Sequence, residues 1–355
     1  IMVKKMLKKI IPAGVIMKYH YFLAKISAIF YGYPSNKMLV IGVTGTSGKS
    51  STSYFIAQIL ESAGLKIGLT STTLFKIGSH EWLNDKKMTM LGRAQTQKIL
   101  AQMLKEKCQV AIIETSSQGI EQFRHIGINY DILVFTNLYP EHIEAHGGFE
   151  NYKKAKGKLF TYLMTQKNKK LTINNQPPQM RGKQLTIKKT IIINSDDEYS
   201  DYFLQFNADE KITFDGKKKY NTNLLGNYNI YNINAAVAVA ETLGINSDLV
   251  QKAVADLKPL PGRLEFIENN RGIKILVDYA FEPKALEKLY QITKEIPHQK
   301  IIHVLGSTGG GRDKARRPIL GKIAAENADI IIITNEDPYE EEPLDIIEQV
   351  AVGAV

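Results

Sequence analysis

The chain has 355 residues, 44% of them hydrophobic and 23% charged, enough for two or three globular domains with sizeable cores. Its one cysteine, Cys108, excludes an internal disulfide and suits a reducing cytoplasm. The formal charge of +10 is concentrated at the start, where residues 1–38 hold seven lysines and no acid; the rest is mildly basic, and no aromatic-basic interleaving points to nucleic acid.

Residues 1–37 read as a basic, apolar helical arm. Lys18 and Lys25 interrupt its apolar run, which falls short of the ~20 residues a spanning helix needs. It has no small-x-small cleavage site and differs from a secretory signal in that respect. Two readings stay open: a helix packed on the main domain, and an interfacial helix making peripheral contact with an anionic membrane.

The stretch that organises the chain comes next. An apolar strand over 38–43 runs into Thr44-Gly45-Thr46-Ser47-Gly48-Lys49-Ser50-Ser51, and an apolar-periodic helix carries Tyr54, Phe55, Ile56, Ile59 and Leu60. Glycines let backbone N–H groups turn inward around a phosphate, and the helix N-terminus adds partial positive charge. Lys49 is placed to reach the outer phosphates of ATP and Ser50 to hold Mg²⁺. The plain G-x-x-x-x-G-K-[ST] pattern fails, because Val43 stands where its first glycine belongs. The competing reading is a Gly/Ser-rich turn without a ligand.

Beyond the loop, strands and helices alternate. Strands are expected over 66–70, 109–114, 130–137, 273–278, 300–305 and 330–334. Helices are expected over 96–105, 152–163, 235–243, 283–296 and 318–327, with another from 343. Continuous Val/Ile strands alternating with helices mean parallel sheets in an α/β protein. Residues 166–222 are polar, lysine-rich and β-like, and suggest a smaller mixed subregion. Two prolines and a glycine within 257–262 mark a linker. The expected architecture is a P-loop ATPase-type parallel-sheet domain over 38–258, followed by a Rossmann-like domain over 259–355.

Glu114 ends a buried strand in the sheet that carries the phosphate loop, a usual place for a carboxylate that holds Mg²⁺. The alternative is an acid capping the next helix. His142 and His146 are four apart, but H-I-E-A-H lacks the order of a zinc protease.

The segments GVTGTSGKSST, IIETSSQGIEQFR, FTNLYPEHIEAHGGFENYKKAKGKLF, LLGNYNIYNINAAVA, LPGRLE, VDYAFEP, GGGRDKARRP and NEDPYEEEP stand in the order found in Mur ligases. They most resemble the MurE type, which extends a UDP-N-acetylmuramoyl peptide. The similarity covers residues 38–355. The resemblance implies that the loop and Lys49 hold ATP and that Ser50, Glu114, His142 and Lys156 form the metal site, Lys156 as a carbamate. It places Asn229 and Asn232 beside the adenine, and Arg263, Asp278 and Tyr279 on the nucleotide side of the last domain. Thr89, Ser116, Ser117 and Arg124 match positions facing the UDP-sugar peptide. Arg312, Asp313 and Lys314 match a G-G-x-R-D-K loop, and Asp337 and Pro338 the amino-acid side. The implied reaction activates a peptide carboxylate as an acyl phosphate and passes it to an amine, with the linker as a hinge.

There are departures from the family pattern. The usual first domain, which grips the uridine diphosphate, is not matched, and the chain stops inside the last domain; the expectation is a truncated sequence. Gln118 and Phe281 stand where members have histidine. Glu336-Asp337-Pro338-Tyr339 replaces the D-N-P-R of diaminopimelate-adding members, which favours lysine or another amine. The rivals are a folylpolyglutamate synthase-like ligase and a non-catalytic, membrane-docked ATP-binding partner.

Overall fold

The computed structural model describes residues 13–86, 88–140, 146–172, 184–310 and 314–355. They fall into two compact units, one ending at Pro261 and the other beginning at Gly262.

The first unit begins with α1 (Ala13–Phe30), then β1 (Leu39–Thr44), α2 (Lys49–Ser62), β2 (Ile67–Thr70), β3 (Leu74–Ile77), β4 (His80–Leu83), α3 (Arg93–Lys105), β5 (Val110–Glu114) and α4 (Ser117–Glu121). It continues with β6 (Ile132–Phe135), α5 (Phe149–Leu163), β7 (Lys169–Thr172), β8 (Gln184–Ile187), β9 (Thr190–Asn194), α6 (Ser200–Leu204), β10 (Glu210–Phe214), α7 (Tyr228–Thr242) and α8 (Ser247–Ala255). Eight strands form one sheet in the order β10-β9-β6-β1-β5-β2-β3-β4. All pairs are parallel except the β2-β3-β4 meander at one edge.

The parallel strands are buried on both faces, which is why they read as unbroken Val/Ile runs. Along β1 the side chains alternate: Leu39, Ile41 and Val43 pack with α2, α7 and α8, while Val40 packs with α3 and α5 on the other face. Gly42 passes where a Cβ would lie 2.7 Å from Leu133 and 2.8 Å from Tyr130. β1 lies centrally between β5 and β6, where the strand order reverses, and the loop at its C-terminal end opens at the crevice where such sheets bind ligands.

Two features correct the reading of the sequence. The β3–β4 hairpin was not expected; it turns at Gly78, whose φ is +60°, and its outer strand is largely exposed. Residues 166–222 are not a separate mixed subregion. β9 and β10 extend the main parallel sheet, and only β7 and β8 form a hairpin apart. Two of the lysines in this stretch are internal. Lys169 and Lys189 are buried on the carboxylate of Asp131, at 2.5 and 3.1 Å. Lys169 also donates to the carbonyls of Met38 and Asn129, and Lys189 to those of Tyr130 and the Asn129 side chain. The third bond to the Asp131 carboxylate is from Val40 N–H in β1. Burial pushes the Lys169 ammonium down to about 8 against the pull of Asp131.

The described part of the arm, from Ala13 on, is packed on this unit. Ala24, Ser27 and Ala28 of α1 are buried, and a Cβ on Gly127 would meet Ala28 at 2.5 Å. Tyr21 sits edge-on to Phe123. Beyond α1, the hydroxyl of Ser35 accepts from Asn129 N–H, and Asn36 accepts from the Asn129 amide. Cys108 is buried, and burial raises its thiol above the usual range, in keeping with an inert cysteine.

His125 is buried with its Nδ1 unpartnered among the described residues, and desolvation, with Lys158 nearby, lowers it from 6.5 to about 4. Between these values the unfolded chain binds the proton and the folded chain does not, so stability is full above the unfolded value and falls on acidification. We expect a loss of about 3 kcal/mol from this group between pH 7 and pH 4, at about 1.4 kcal/mol per pKa unit. Urea unfolding across that range should show a shallower slope in His125→Phe; an unchanged slope would remove His125 as the cause.

The second unit contains the antiparallel pair β11 (Glu265–Ile267) and β12 (Ile275–Val277), then α9 (Pro283–Glu295), β13 (Ile302–Leu305), α10 (Arg316–Asn327), β14 (Ile330–Ile333) and α11 (Pro343–Ala351). β13 and β14 pair in parallel, so β13-α10-β14 is the crossover unit of a Rossmann-like domain. Leu286, Tyr290, Leu305, Leu320, Ile323, Ala324 and Val350 form its core.

Candidate active site

The loop between β1 and α2 is shaped by backbone that only glycine tolerates. Gly45 has φ +154° and Gly48 φ +75°. A Cβ at Gly45 would lie 1.9 Å from Thr136 Oγ1, and one at Gly48 2.4 Å from Asn232 Oδ1. The loop is clasped from the end of β6. Thr46 N–H donates to Asn137 O, Ser47 N–H to the Asn137 side chain at 2.9 Å, and Thr136 Oγ1 to Ser47 O at 2.7 Å. Val43 belongs to β1, so the loop is Gly45–Gly48 and needs no glycine at 43. We expect Gly45→Ala to weaken ATP binding by roughly tenfold or more, since Cβ and Thr136 cannot share that space. Calorimetric titration with a non-hydrolysable ATP analogue measures this; wild-type affinity would mean the loop is not the phosphate cradle.

Lys49 opens α2, and its Nζ donates to Thr46 O at 2.8 Å, folding the ammonium over the loop. Ser50 Oγ donates to Glu114 Oε2 at 2.8 Å. Glu114 is buried at the C-terminal end of β5 and also accepts from Thr72 N–H at 2.7 Å and Thr72 Oγ1 at 2.9 Å. It is therefore held by the loop helix and by the β2–β3 turn, and does not cap α4; Ser116 does that, accepting from Gly119 N–H. A hydroxyl and a carboxylate meeting at a phosphate loop are hard oxygen donors. They fit Mg²⁺, which takes one or two carboxylates together with substrate phosphates. Among the described residues no cluster of three His, Cys, Asp or Glu is present.

Lys156, on α5, is only 1% exposed. Its Nζ donates to Gly45 O at 2.7 Å and lies 4.6 Å from the Tyr152 ring centre. The Tyr152 hydroxyl meets Thr46 Oγ1 at 3.1 Å. Thus Lys49, Ser50, Glu114 and Lys156 converge on one loop. His142 lies outside the described residues, whereas His146 meets Ser117 Oγ at 3.0 Å. Asn232 sits under the loop, its Oδ1 accepting from Thr52 Oγ1 and its amide donating to Asn229.

Of the other expected positions in this unit, Thr89 is joined through Thr72 to Glu114. Arg124 donates to Met90 O and to the Gln122 side chain, and Arg93 donates to Gln122 O. Desolvation lowers both guanidinium groups, and Arg124 lowers Arg93 further. Thr72, Thr136, Asn137 and Tyr152 were not singled out from the sequence. Thr136, Asn137 and Tyr152 sit inside a segment that was recognised, but only their contacts with the loop mark them.

In the second unit, Arg263 lies 4.9 Å from the Tyr279 ring centre, and Asp278 accepts from Leu264 N–H at 2.8 Å. Burial raises the Asp278 carboxyl, and its hydrogen bonds and Arg263 oppose this. Arg312 and Asp313 lie outside the described residues. Lys314 pairs with Glu341 at 3.0 Å. Gly309 N–H donates to Asp337 O, and a Cβ at Gly309 would lie 2.2 Å from Pro338 O. Glu341 also holds the fully buried Arg317 at 3.1 Å, while Glu340 and Glu342 are exposed. The acidic run is therefore split between one structural partner and two solvent-facing groups.

The profile of the Mur ligase middle domain matches residues 43–240, and that of the Mur ligase glutamate ligase domain matches residues 262–355. A UDP-N-acetylmuramyl-tripeptide synthetase of Borrelia garinii is 35% identical over 94% of this chain and 68% of its own length. A UDP-N-acetylmuramoyl-L-alanyl-D-glutamate–2,6-diaminopimelate ligase of Halalkalibacterium halodurans is 31% identical over 97% and 72%. A solved ligase of the same description aligns with TM-score 0.60 and 26% identity over 89% of this chain and 66% of its own. The folylpolyglutamate synthase of Mycobacterium tuberculosis, complexed with ADP and AMPPCP, aligns with TM-score 0.69 at 14% identity, over 93% and 83%; it shares the fold. The two profiles together span most of the chain in the order of its two units, and the chain belongs to the Mur ligase family, whose members are ATP-dependent, ADP-forming ligases.

Proposed function

We propose that this ligase adds an amino acid to a UDP-N-acetylmuramoyl peptide in the cytoplasm, as part of peptidoglycan precursor synthesis. The observation that carries the reading is the convergence of Lys49, Ser50, Glu114 and Lys156 on the Gly45–Gly48 loop. The relatives' names support the substrate class.

In this reading the loop amides and Lys49 hold the phosphates of ATP. Ser50 and Glu114 are the protein ligands for Mg²⁺, with His142 and Lys156 in support. The metal supplies neutralisation of phosphate charge. The peptide carboxylate attacks the γ-phosphorus and the bond to ADP breaks, leaving an acyl phosphate. The amine then attacks the acyl carbon, inorganic phosphate leaves with the C–O bond electrons, and the ammonium proton passes to solvent. Lys49 offsets charge on the transferred phosphoryl group. Lys156 acts as a carbamate, –NH–COO⁻, formed when its neutral amine adds to CO₂ and gives up a proton to solvent. That form keeps an N–H for Gly45 O while placing an anion beside the loop. Asn229 and Asn232 serve the adenine side, and Arg263, Asp278 and Tyr279 the nucleotide side of the second unit. Thr89, Ser116, Ser117 and Arg124 face the UDP-sugar peptide.

The added amine is one without a second carboxylate, L-lysine first. A bidentate arginine is the strongest grip on a far carboxylate, and Tyr339 cannot provide it. The test is phosphate release and product mass with ATP, UDP-sugar dipeptide, and lysine and diaminopimelate at equal concentration. Lysine product is expected. Diaminopimelate product would keep the ligase reading and overturn that of Tyr339; no amide product with either amine would overturn the reading itself.

A further inference from the structure

α1 has two apolar sides. Ala24, Ser27 and Ala28 face the first unit and are buried. Val15, Tyr19, Phe22, Ile26 and Ile29, spaced four and three residues apart, make a stripe along the opposite side, with Phe30 at its end. Each of these six is more than half exposed, from 54% at Val15 to 79% at Phe30. A run of large apolar side chains on the outer face of a docked helix is not the usual solvated face, and contiguous exposed patches mark interaction sites. Lys18 and Lys25, seven residues apart, border the same side of the stripe and are exposed. From Ala13, the first described residue, to Leu60 the described chain carries no acid.

We propose that this face of α1 docks on an anionic lipid surface, burying the Val15–Ile29 stripe at the headgroup boundary while Lys18 and Lys25 meet lipid phosphates. Charge chooses this occupant. A second copy of the chain would bring the same lysines against each other, whereas an anionic bilayer offers apolar depth and opposite charge together. No described helix is long and apolar enough to cross a membrane, so the contact lies in the plane of the surface. The inner face of α1 stays on the first unit, and docking needs no unfolding of the arm.

The experiment is co-sedimentation of the full chain with vesicles of phosphatidylcholine alone and of phosphatidylcholine mixed equally with phosphatidylglycerol. Binding is expected only to the anionic vesicles, weakening as salt is raised. Replacing the stripe in Phe22→Ser/Ile26→Ser/Ile29→Ser, or the border in Lys18→Glu/Lys25→Glu, should each weaken binding by roughly tenfold or more. Thermal unfolding by circular dichroism checks that each variant is folded; the charge variant touches only exposed side chains and keeps the test open should the triple variant misfold. Absence of binding to anionic vesicles, or equal binding by a folded variant, overturns the proposal. So does a concentration-dependent dimer that the triple variant dissolves, which would give the face to a second copy.

Discussion

Lys156→Ala is expected to lower ATP-dependent amide formation by on the order of 10²–10³-fold, the usual cost of removing one group aimed at developing charge. The side chain is buried against the Gly45 carbonyl and Tyr152, so its loss acts on the Gly45–Gly48 loop, the proposed phosphate cradle. Two causes have to be separated, a lost anion and a loosened loop. Short carboxylic acids at high concentration should restore part of the rate in Lys156→Ala if the missing group is a carbamate, because they return a carboxylate to the space vacated by the side chain. They should do nothing for Lys156→Met, which fills that space. Steady-state phosphate release with and without added acetate is the measurement. A near-normal rate in Lys156→Ala would reduce Lys156 to a buried strut; a slow enzyme unresponsive to acetate in both variants would leave it a positioning residue for Gly45.

Asp131→Ala should be the most damaging substitution for stability outside that site, by about 3–5 kcal/mol. It leaves Lys169 and Lys189 buried without their carboxylate and takes the acceptor from Val40 N–H. A domain holds about 5–15 kcal/mol in total, so a large fraction of the first unit should unfold near physiological temperature. The cluster ties β1, the start of β6, and the β7 and β9 strands together at the end of the sheet away from the phosphate loop. Asp131→Asn keeps the shape and one acceptor and should recover part of the loss. Urea unfolding followed by fluorescence of Trp82, in the β4 strand of the same sheet, reports the first unit. A loss under about 1 kcal/mol would mean that the two lysines escape to water when the acid is gone.

The loop, its lysine and the strand-end acid were legible because each is a local pattern. A glycine pair, a lysine and a serine at the mouth of a helix can be read without knowing the fold, and so can a Val/Ile run ending in Glu114. The supporting contacts were not. Thr72 bonds to Glu114 only because β2 lies beside β5 in the sheet. Asn137 clasps the loop only because β6 lies on the other side of β1. The lysine-rich stretch after residue 166 misled for a related reason. A lysine is normally read as solvated, and nothing near Lys169 or Lys189 in sequence announces a carboxylate that lies 38 and 58 residues away.

The sequence by itself determined the alternation of strands and helices, the glycine loop at the mouth of a helix with its lysine and serine, and the Val/Ile run that ends in Glu114. These depend on neighbours one to four residues apart, where backbone geometry makes spacing and position equivalent. The tertiary structure decided which strands adjoin β1, which lysines are buried, that Ser50 and Glu114 share a hydrogen bond, and that Lys156 ends on the Gly45 carbonyl 111 residues before it. Those contacts exist only after the parallel crossovers close, because burial and pairing are properties of the folded sheet and leave no mark on the spacing of the residues that make them.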